Sequence, residues 1–142
     1  MDDGLVCCIF GDRKINDYSI LLDAIKQSGF KIKKVISGNA KGADALGEQF
    51  ATQNKLPLEV FEAEWDDLEA EGAVVKVNGW GKAYNAMAGF NRNQKMAEVA
   101  DCGIGLQTNG DTNGTQDMKK RLEKLGKKVF ILGQGDDDRI QF

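Results

Sequence analysis

Three short glycine-containing loops carry most of the side chains in this sequence that could do chemistry. They read GDRK (11–14), SGNAKGAD (37–44) and NGDTNGTQDM (109–118), and each lies between an apolar segment and a helical pattern. Glycine lets the backbone approach a ligand closely, and free N–H groups at a helix start attract anions. The three loops together predict a site for a phosphate-bearing ligand.

Two arginines are the main candidates for charged contacts to that ligand. Arg13 follows Gly11 in the first loop. Arg92 lies between Asn91 and Asn93 in a fourth polar segment, GFNRNQKM. A guanidinium can hold a phosphate or a carboxylate through two hydrogen bonds. The alternatives are a surface salt bridge for Arg13 and a solvated helix end for the three residues around Arg92.

The second loop is expected to bind an anion through its backbone. Gly38 and Gly42 permit backbone conformations that other residues avoid, so the N–H groups of residues 39–43 can form a cradle at the next helix start. Side chains of the same loop complete the predicted contacts, namely Ser37, Asn39 and Lys41.

Two carboxylates are candidates for catalysis if the protein is an enzyme. Asp117 lies near the third loop, where Gly114 and Thr115 are predicted ligand contacts and Thr115 is alternatively a helix N-cap. Asp44 falls in the first turn after the second loop, where it would otherwise stabilise the helix dipole. Either carboxylate could activate water or stabilise an oxocarbenium-like centre.

Composition excludes several other kinds of chemistry. The chain has no histidine, the commonest general base and metal ligand, and we expect no metal and no cofactor. A net charge of −3 disfavours nonspecific binding to nucleic acid or to anionic membranes. Three cysteines without the spacing of a metal site or a disulfide framework indicate core residues in a reducing compartment.

Apolar segments alternate with helical patterns, and this order positions the loops. The predicted strands are LVCCIF (5–10), KVIS (34–37), LPLEVF (56–61), CGIGL (102–106) and KVFIL (128–132), and the predicted helices cover about 18–28, 43–51, 91–100 and 115–125. Such alternation predicts a single α/β, Rossmann-like domain with a parallel sheet of about five strands and helices on both faces. The loops would then meet at the carboxyl ends of the strands, where ligands bind.

The domain is expected to span residues 1–132, followed by an acidic flexible tail over 133–142. An excursion over about 65–90 has no single period, and we expect it to be partly helical and partly mobile. Within it, Trp65 is predicted to be a core residue rather than a platform for a base. The sequence lacks a signal peptide and a long apolar segment, which predicts a cytoplasmic protein with no membrane contact.

The order of these motifs resembles one known family. The sequence is similar to the YspA-like branch of the SLOG superfamily over about Leu5 to Leu132. The motifs that carry this similarity are, in order, GDR, SGNAKGAD, EW (64–65), AGFNRNQKM and NGTQDM, followed by KVFIL. The resemblance implies a Rossmann-like fold and a nucleotide-like small molecule as partner. By similarity it implies contacts from Arg13, Ser37, Gly38, Gly42, Arg92, Gly114 and Thr115. The branch's place in bacterial and viral conflict systems implies a signalling nucleotide.

The same resemblance leaves other functions open. LOG-type relatives hydrolyse an N-glycosidic bond with an Arg and with a Glu three residues beyond the Thr of their glycine-rich loop. In this sequence that position is Met118, with Asp117 one residue earlier, which departs from the LOG pattern. The activity of these relatives makes nucleotide N-glycosidic hydrolysis or transfer the alternative to plain binding. DprA-like binding of single-stranded DNA is a weaker alternative because the chain is acidic. Related folds commonly dimerise, which suggests a homodimer or a higher homo-oligomer.

Overall fold

Strands and helices alternate along most of the chain in the computed structural model, which describes residues 4–70, 72–107 and 113–133. Within these segments the elements are β1 (Leu5–Gly11), α1 (Tyr18–Ser28), β2 (Ile32–Ser37), α2 (Ala43–Gln53), β3 (Leu58–Val60), β4 (Val75–Val77), β5 (Ala83–Asn85), α3 (Ala88–Val99), β6 (Cys102–Gln107), α4 (Asn113–Lys124) and β7 (Lys128–Gly133). Residues 134–142 of the predicted acidic tail and residues 109–112 of the third predicted loop lie outside the described residues.

β1 lies at the centre of a five-stranded parallel sheet with the order β3-β2-β1-β6-β7. The chain runs outward from β1 to β3 and then returns to place β6 on the other side of β1. In open sheets of this kind ligands bind beyond the carboxyl ends of the strands, at the point where the strand order reverses. Here that point lies between β1 and β6. The predicted Rossmann-like α/β fold is confirmed.

Helices cover both faces of the sheet, which explains why β1 has no polar alternation. On one face Cys7 and Ile9 pack in a core with Leu21 of α1 and Leu46 of α2. The other face has its own core, in which the buried residues are Cys8, Phe10, Ile36, Met96, Ala97, Ala100, Met118 and Leu122. Since α3 and α4 supply most of the second core, their first turns are held close to the end of β1.

The excursion differs from the prediction because it contains a β-hairpin. β4 and β5 pair antiparallel, with Val75 opposite Asn85 and Val77 opposite Ala83. The Asn78 side chain shapes the turn by accepting hydrogen bonds from the N–H groups of Trp80 and Lys82, at 2.8 and 3.0 Å. Two strands of three residues give no readable period, so the sequence did not predict this hairpin. The helical part begins only at Ala88, in α3.

None of the helices in the described part of the chain combines the length and apolar character needed to cross a membrane.

Candidate functional site

A cavity of about 420 Å³ opens where β1 ends and the first turns of α2, α3 and α4 converge. It adjoins the point of the sheet where the strand order reverses, which is where a ligand is expected in this type of fold. Its lining combines two arginines and a lysine with aromatic and sulfur-containing side chains. The residues are Phe10, Gly11, Asp12, Arg13, Lys14, Ala40, Asp44, Trp65, Ala86, Gly89, Phe90, Arg92, Asn93, Met96, Gly114, Thr115 and Met118.

The cavity brings together half of the residues that the sequence singled out. Those that line it are Gly11, Arg13, Asp44, Arg92, Asn93, Gly114 and Thr115. The other predicted site residues lie around it, and they are Ser37, Gly38, Asn39, Lys41, Gly42, Asn91 and Asp117. Asn91 faces a separate depression, which it shares with Glu62 and Glu64. The predicted contacts therefore divide into a lining group and a supporting group.

The first loop owes its shape to Gly11 and Asp12. Gly11 has a φ of 147°, and a Cβ there would overlap the carbonyl group of Leu106 in β6. The neighbouring Asp12 N–H donates to the Leu106 carbonyl oxygen at 2.9 Å. Asp12 Oδ1 accepts from the Lys14 N–H at 2.8 Å, which closes a tight turn around Arg13. Asp12 was not among the predicted site residues, although an Asp two residues before Lys14 is a recognisable turn signal.

The second loop satisfies most of its own N–H groups. Asn39 N–H donates to Ser37 Oγ at 3.1 Å, Ala40 N–H to Asp44 Oδ2 at 3.4 Å, and Ala43 N–H to the Asp12 carbonyl oxygen at 3.1 Å. Ser37 is fully buried and donates its hydroxyl proton to Glu48 at 2.7 Å. Three of the five N–H groups in the predicted anion cradle, residues 39–43, therefore already have partners within the loop or in the neighbouring first loop.

Gly42 joins the first two loops. Its φ of 73° and ψ of −125° are accessible to glycine but not readily to other residues. A Cβ at this position would overlap the carbonyl oxygens of Asp12 and Arg13. Gly42 therefore allows the two loops to pack closely, whereas the sequence had predicted that it contacts the ligand.

Asp44 and Arg92 form the charged wall of the cavity. Asp44 is 5% exposed, and this burial raises the pKa of its carboxyl to about 6, although the Arg92 charge acts in the opposite direction. Arg92 Nη1 donates to the Gly38 carbonyl oxygen at 2.7 Å. Its Nε atom is buried and has no hydrogen-bond partner among the described residues. An unsatisfied buried donor beside a cavity is unusual and points to a group that the ligand supplies.

Asp117 lies behind the cavity wall. Its Oδ2 accepts from Asn93 Nδ2 at 3.0 Å and from Arg121 Nε at 2.8 Å. Asp117 thus orients Asn93, which does line the cavity, and the structure does not bring the Asp117 carboxylate itself to the lining. α4 begins at Asn113, so Thr115 lies inside the first turn and is 3% exposed. The N-cap alternative for Thr115 was wrong.

Trp65 lies at the cavity and is 42% exposed, so its predicted core position was wrong. The indole packs edge to face on Tyr84 of β5, with ring centroids 6.4 Å apart and an interplanar angle of 63°. The Asn85 N–H donates to the Trp65 carbonyl oxygen at 2.7 Å. The hairpin therefore holds Trp65 at the cavity, and this packing involves residues that the sequence pattern could not connect.

Comparison with known protein families finds a match for the first part of the chain. Residues 6–67 match the model of a protein family described as the YspA, cpYpsA-related SLOG family. The predicted resemblance is confirmed. The matched segment contains the first two loops and Trp65, whereas α3 and α4 lie beyond it. No curated protein matches the sequence.

One solved structure shares the fold along nearly the whole chain. It is the DNA processing protein A (DprA) from Streptococcus pneumoniae, which aligns with a TM-score of 0.65 and 16% sequence identity. The alignment covers 97% of this chain and 53% of DprA, so this chain spans about half the length of that protein. At this identity the likeness concerns the fold alone.

Proposed function

We propose that this protein binds a nucleotide or a nucleotide-derived small molecule in the cavity between β1, α2, α3 and α4. The observation that carries the proposal is the lining itself: Arg13 and Arg92 share one cavity with Trp65, Met96 and Met118. Its volume of about 420 Å³ is in the range of small-molecule sites. A ligand with an anionic part and a flat apolar part would use both kinds of side chain.

The two ends of such a ligand have different partners in the lining. Arg13 and Lys14 are exposed at the mouth and lie near the first turn of α4, so this side suits phosphate oxygens. Trp65 and Phe90 offer aromatic surface on which a base can stack, at about 1–3 kcal/mol per base. This division supports a nucleotide more than a simple phosphate or a simple hydrophobic ligand.

N-glycosidic hydrolysis is the second candidate, and Asp44 is the observation that favours it. A buried carboxyl whose pKa is about 6 is partly protonated near neutral pH, so it can act as a general acid. The reaction would add water to the sugar carbon as its bond to the base nitrogen breaks, with Asp44 delivering a proton to that nitrogen. The proton that the attacking water loses would go to solvent, from which Asp44 is protonated again. Asp117 is a weaker candidate for this role because Asn93 and Arg121 occupy its carboxylate.

The family resemblance favours a signalling nucleotide as the bound species. Single-stranded DNA is a weaker alternative, because such binding uses a continuous basic groove with stacking aromatic side chains. Here the net charge is −3, and the depression next to the cavity is lined by Glu62, Glu64 and Asp67.

The test is incubation of the purified protein with nucleoside mono-, di- and triphosphates, NAD, ADP-ribose and cyclic nucleotides. Thermal shift reports binding, and mass spectrometry identifies what is recovered. A stabilising ligand recovered intact supports binding, whereas a free base with a sugar phosphate supports hydrolysis. If no compound raises the melting temperature of the wild type by more than it raises that of an Arg13→Ala and Arg92→Ala double variant, the proposal fails.

A further inference from the structure

Asp44 and Arg92 carry opposite charges on the same cavity wall without forming a direct ion pair. The ion pairs among the described residues join other side chains. Gly38 lies between the two groups: a Cβ on Gly38 would lie 2.9 Å from Asp44 Oδ2 and 3.1 Å from Arg92 Nε. The carboxylate and the guanidinium are therefore close neighbours that are held apart, with the cavity on their open side.

Both groups keep unused hydrogen-bonding capacity. Arg92 uses Nη1 for the Gly38 carbonyl oxygen, while its buried Nε has no partner among the residues that the structure describes. The Asp44 carboxylate accepts a long bond of 3.4 Å from the Ala40 N–H and another from the Gly38 N–H, and an ionised carboxylate can accept about four hydrogen bonds in all. The wall thus offers a charged donor and a charged acceptor side by side.

A phosphate is a poor match for this pair. Its negative oxygens would approach Arg92 only by also approaching the Asp44 carboxylate, and like charges at that distance repel each other. A hydroxyl group is a better match because it both donates and accepts. Two hydroxyls on adjacent carbons can give one proton to the carboxylate and accept one from the guanidinium.

We propose that Asp44 and Arg92 recognise the vicinal diol of a ribose, so that the cavity selects ribonucleotides over 2′-deoxyribonucleotides. This inference rests on the proposed function, since it names the class of nucleotide that the same cavity takes. Arg13 at the mouth remains the phosphate contact, and Arg92 has a different role from the phosphate contact that its sequence context suggested. The same carboxylate chemistry is used by dinucleotide-binding proteins, in which an acidic residue binds the ribose hydroxyls.

Matched pairs of nucleotides test the proposal on the wild type. The probes are the 5′-monophosphates and 5′-triphosphates of the four common bases, each as ribonucleotide, 2′-deoxyribonucleotide and 3′-deoxyribonucleotide, with affinity measured by calorimetry. Losing a hydroxyl that bonds to a charged group should weaken binding about tenfold to 100-fold for either deoxy form. Equal affinity for the ribo and deoxy forms would overturn the diol assignment and leave nucleotide binding intact.

Substitution of Asp44 tests which group reads the sugar. In Asp44→Asn the ribo-to-deoxy affinity ratio should fall to within about threefold, because the amide is a weaker acceptor than the carboxylate. Asp23→Asn removes an exposed carboxylate on α1 and should keep the wild-type ratio. The proposal would be overturned if the ribo-to-deoxy affinity ratio of Asp44→Asn equals that of the wild type. It would also be overturned if affinity depends on the base and not on the sugar.

The outcomes also separate this inference from the proposed function. If none of these mono- and triphosphates binds the wild type, the diol assignment is overturned, and the proposed function is overturned as well if NAD, ADP-ribose and the cyclic nucleotides also fail to bind. If Asp44→Asn does not fold, the affinities of the wild type for the 2′-deoxy- and 3′-deoxyribonucleotides still test the diol assignment, because they require no variant.

Discussion

Arg92 Nη1 donates a 2.7 Å hydrogen bond to the carbonyl oxygen of Gly38, a residue 54 positions earlier in the chain. This bond ties the first turn of α3 to the loop after β2 and fixes the guanidinium beside Asp44. Arg92 therefore has a structural role as well as its proposed contact to the ligand. Arg13 also lines the cavity, but it is exposed, and its removal should leave the bond between Arg92 and Gly38 intact.

The two arginines should therefore respond differently to substitution. Arg13→Ala is expected to weaken binding of a phosphorylated ligand by about 1.5–3 kcal/mol and to change the free energy of unfolding by less than about 0.5 kcal/mol. Arg92→Ala should weaken binding similarly and also cost about 1–3 kcal/mol of stability, because it leaves the Gly38 carbonyl unsatisfied. Calorimetry and urea denaturation measure the two effects. Equal stability losses in both variants would contradict this assignment.

Asp44 should make stability depend on pH. Burial raises the pKa of its carboxyl from an ordinary 3.8 to about 6, despite the opposing Arg92 charge. Glu48 adds to the rise, and the buried Cys8 thiol also lies nearby. A raised carboxyl pKa means that the folded protein binds the proton more tightly than the unfolded chain. The contribution of Asp44 is therefore fully present below about pH 4 and is lost as the pH rises through 6.

Asp44→Asn should consequently be more stable than the wild type at pH 8, by about 1–3 kcal/mol, and similar to it at pH 4. The measurement is chemical denaturation of both proteins at several pH values, with Asp23→Asn as the control for loss of one negative charge. A constant difference across this pH range would show that burial of the Asp44 charge does not oppose folding.

Two glycines with a positive φ should differ in how well they tolerate a side chain. Gly42 and Gly29 both have a φ of 73°, but their ψ angles are −125° and 5°, and a Cβ on Gly29 would meet no atom within 4 Å. Gly29→Ala should cost about 1–2 kcal/mol of stability from the left-handed conformation alone. Gly42→Ala should cost more than about 3 kcal/mol, because the Cβ also overlaps the Asp12 and Arg13 carbonyls. Equal losses in thermal denaturation would rule out the tight packing of the first two loops.

The two tryptophans should report ligand binding differently. Trp65 lines the cavity, whereas Trp80 is 93% exposed in the turn of the hairpin. In Trp80→Phe, the remaining indole should change its emission when a nucleotide binds, because stacking alters its environment. In Trp65→Phe, the emission of Trp80 should stay constant. A ligand response carried by Trp80 alone would place the binding site elsewhere.

Asp117 should prove to be a supporting residue. Asp117→Asn removes the ion pair with Arg121, which is partly buried, and should cost about 0.5–1.5 kcal/mol of stability. If the protein hydrolyses a nucleotide, this variant should keep most of the rate, while Asp44→Asn should lose at least about 100-fold, as expected for a general acid. Loss of the reaction in Asp117→Asn alone, at unchanged substrate affinity, would reverse the two assignments.

The sequence was sufficient to predict the parallel sheet, because a strand buried on both faces consists mainly of apolar residues. LVCCIF has no polar residue, and Cys7, Cys8 and Ile9 are fully buried between two layers of helices. The hairpin leaves no such mark: the residues of β4 are all exposed, so their pairing with β5 buries no continuous face. Its formation depends on the side chain of Asn78 in the turn.

The site was only partly predictable because its geometry depends on contacts between distant segments. The motifs identified Arg13 and Arg92 from their position after or before predicted elements. They could not show that Gly38 separates Arg92 from Asp44, or that Tyr84 holds Trp65 at the cavity. The sequence of a polar loop also does not show what its N–H groups bind. The Ala43 N–H, for example, donates to the carbonyl oxygen of Asp12 and not to a ligand.

The hydrogen bond from the Ala43 N–H to the Asp12 carbonyl oxygen couples the motions of two loops. Amides at the start of a helix ordinarily exchange rapidly with solvent because they have no partner within the helix. The Ala43 amide should instead exchange only when the loop after β1 and the loop after β2 separate. Separation of the two loops must break this bond, so we expect the loop after β1 and the loop after β2 to open together.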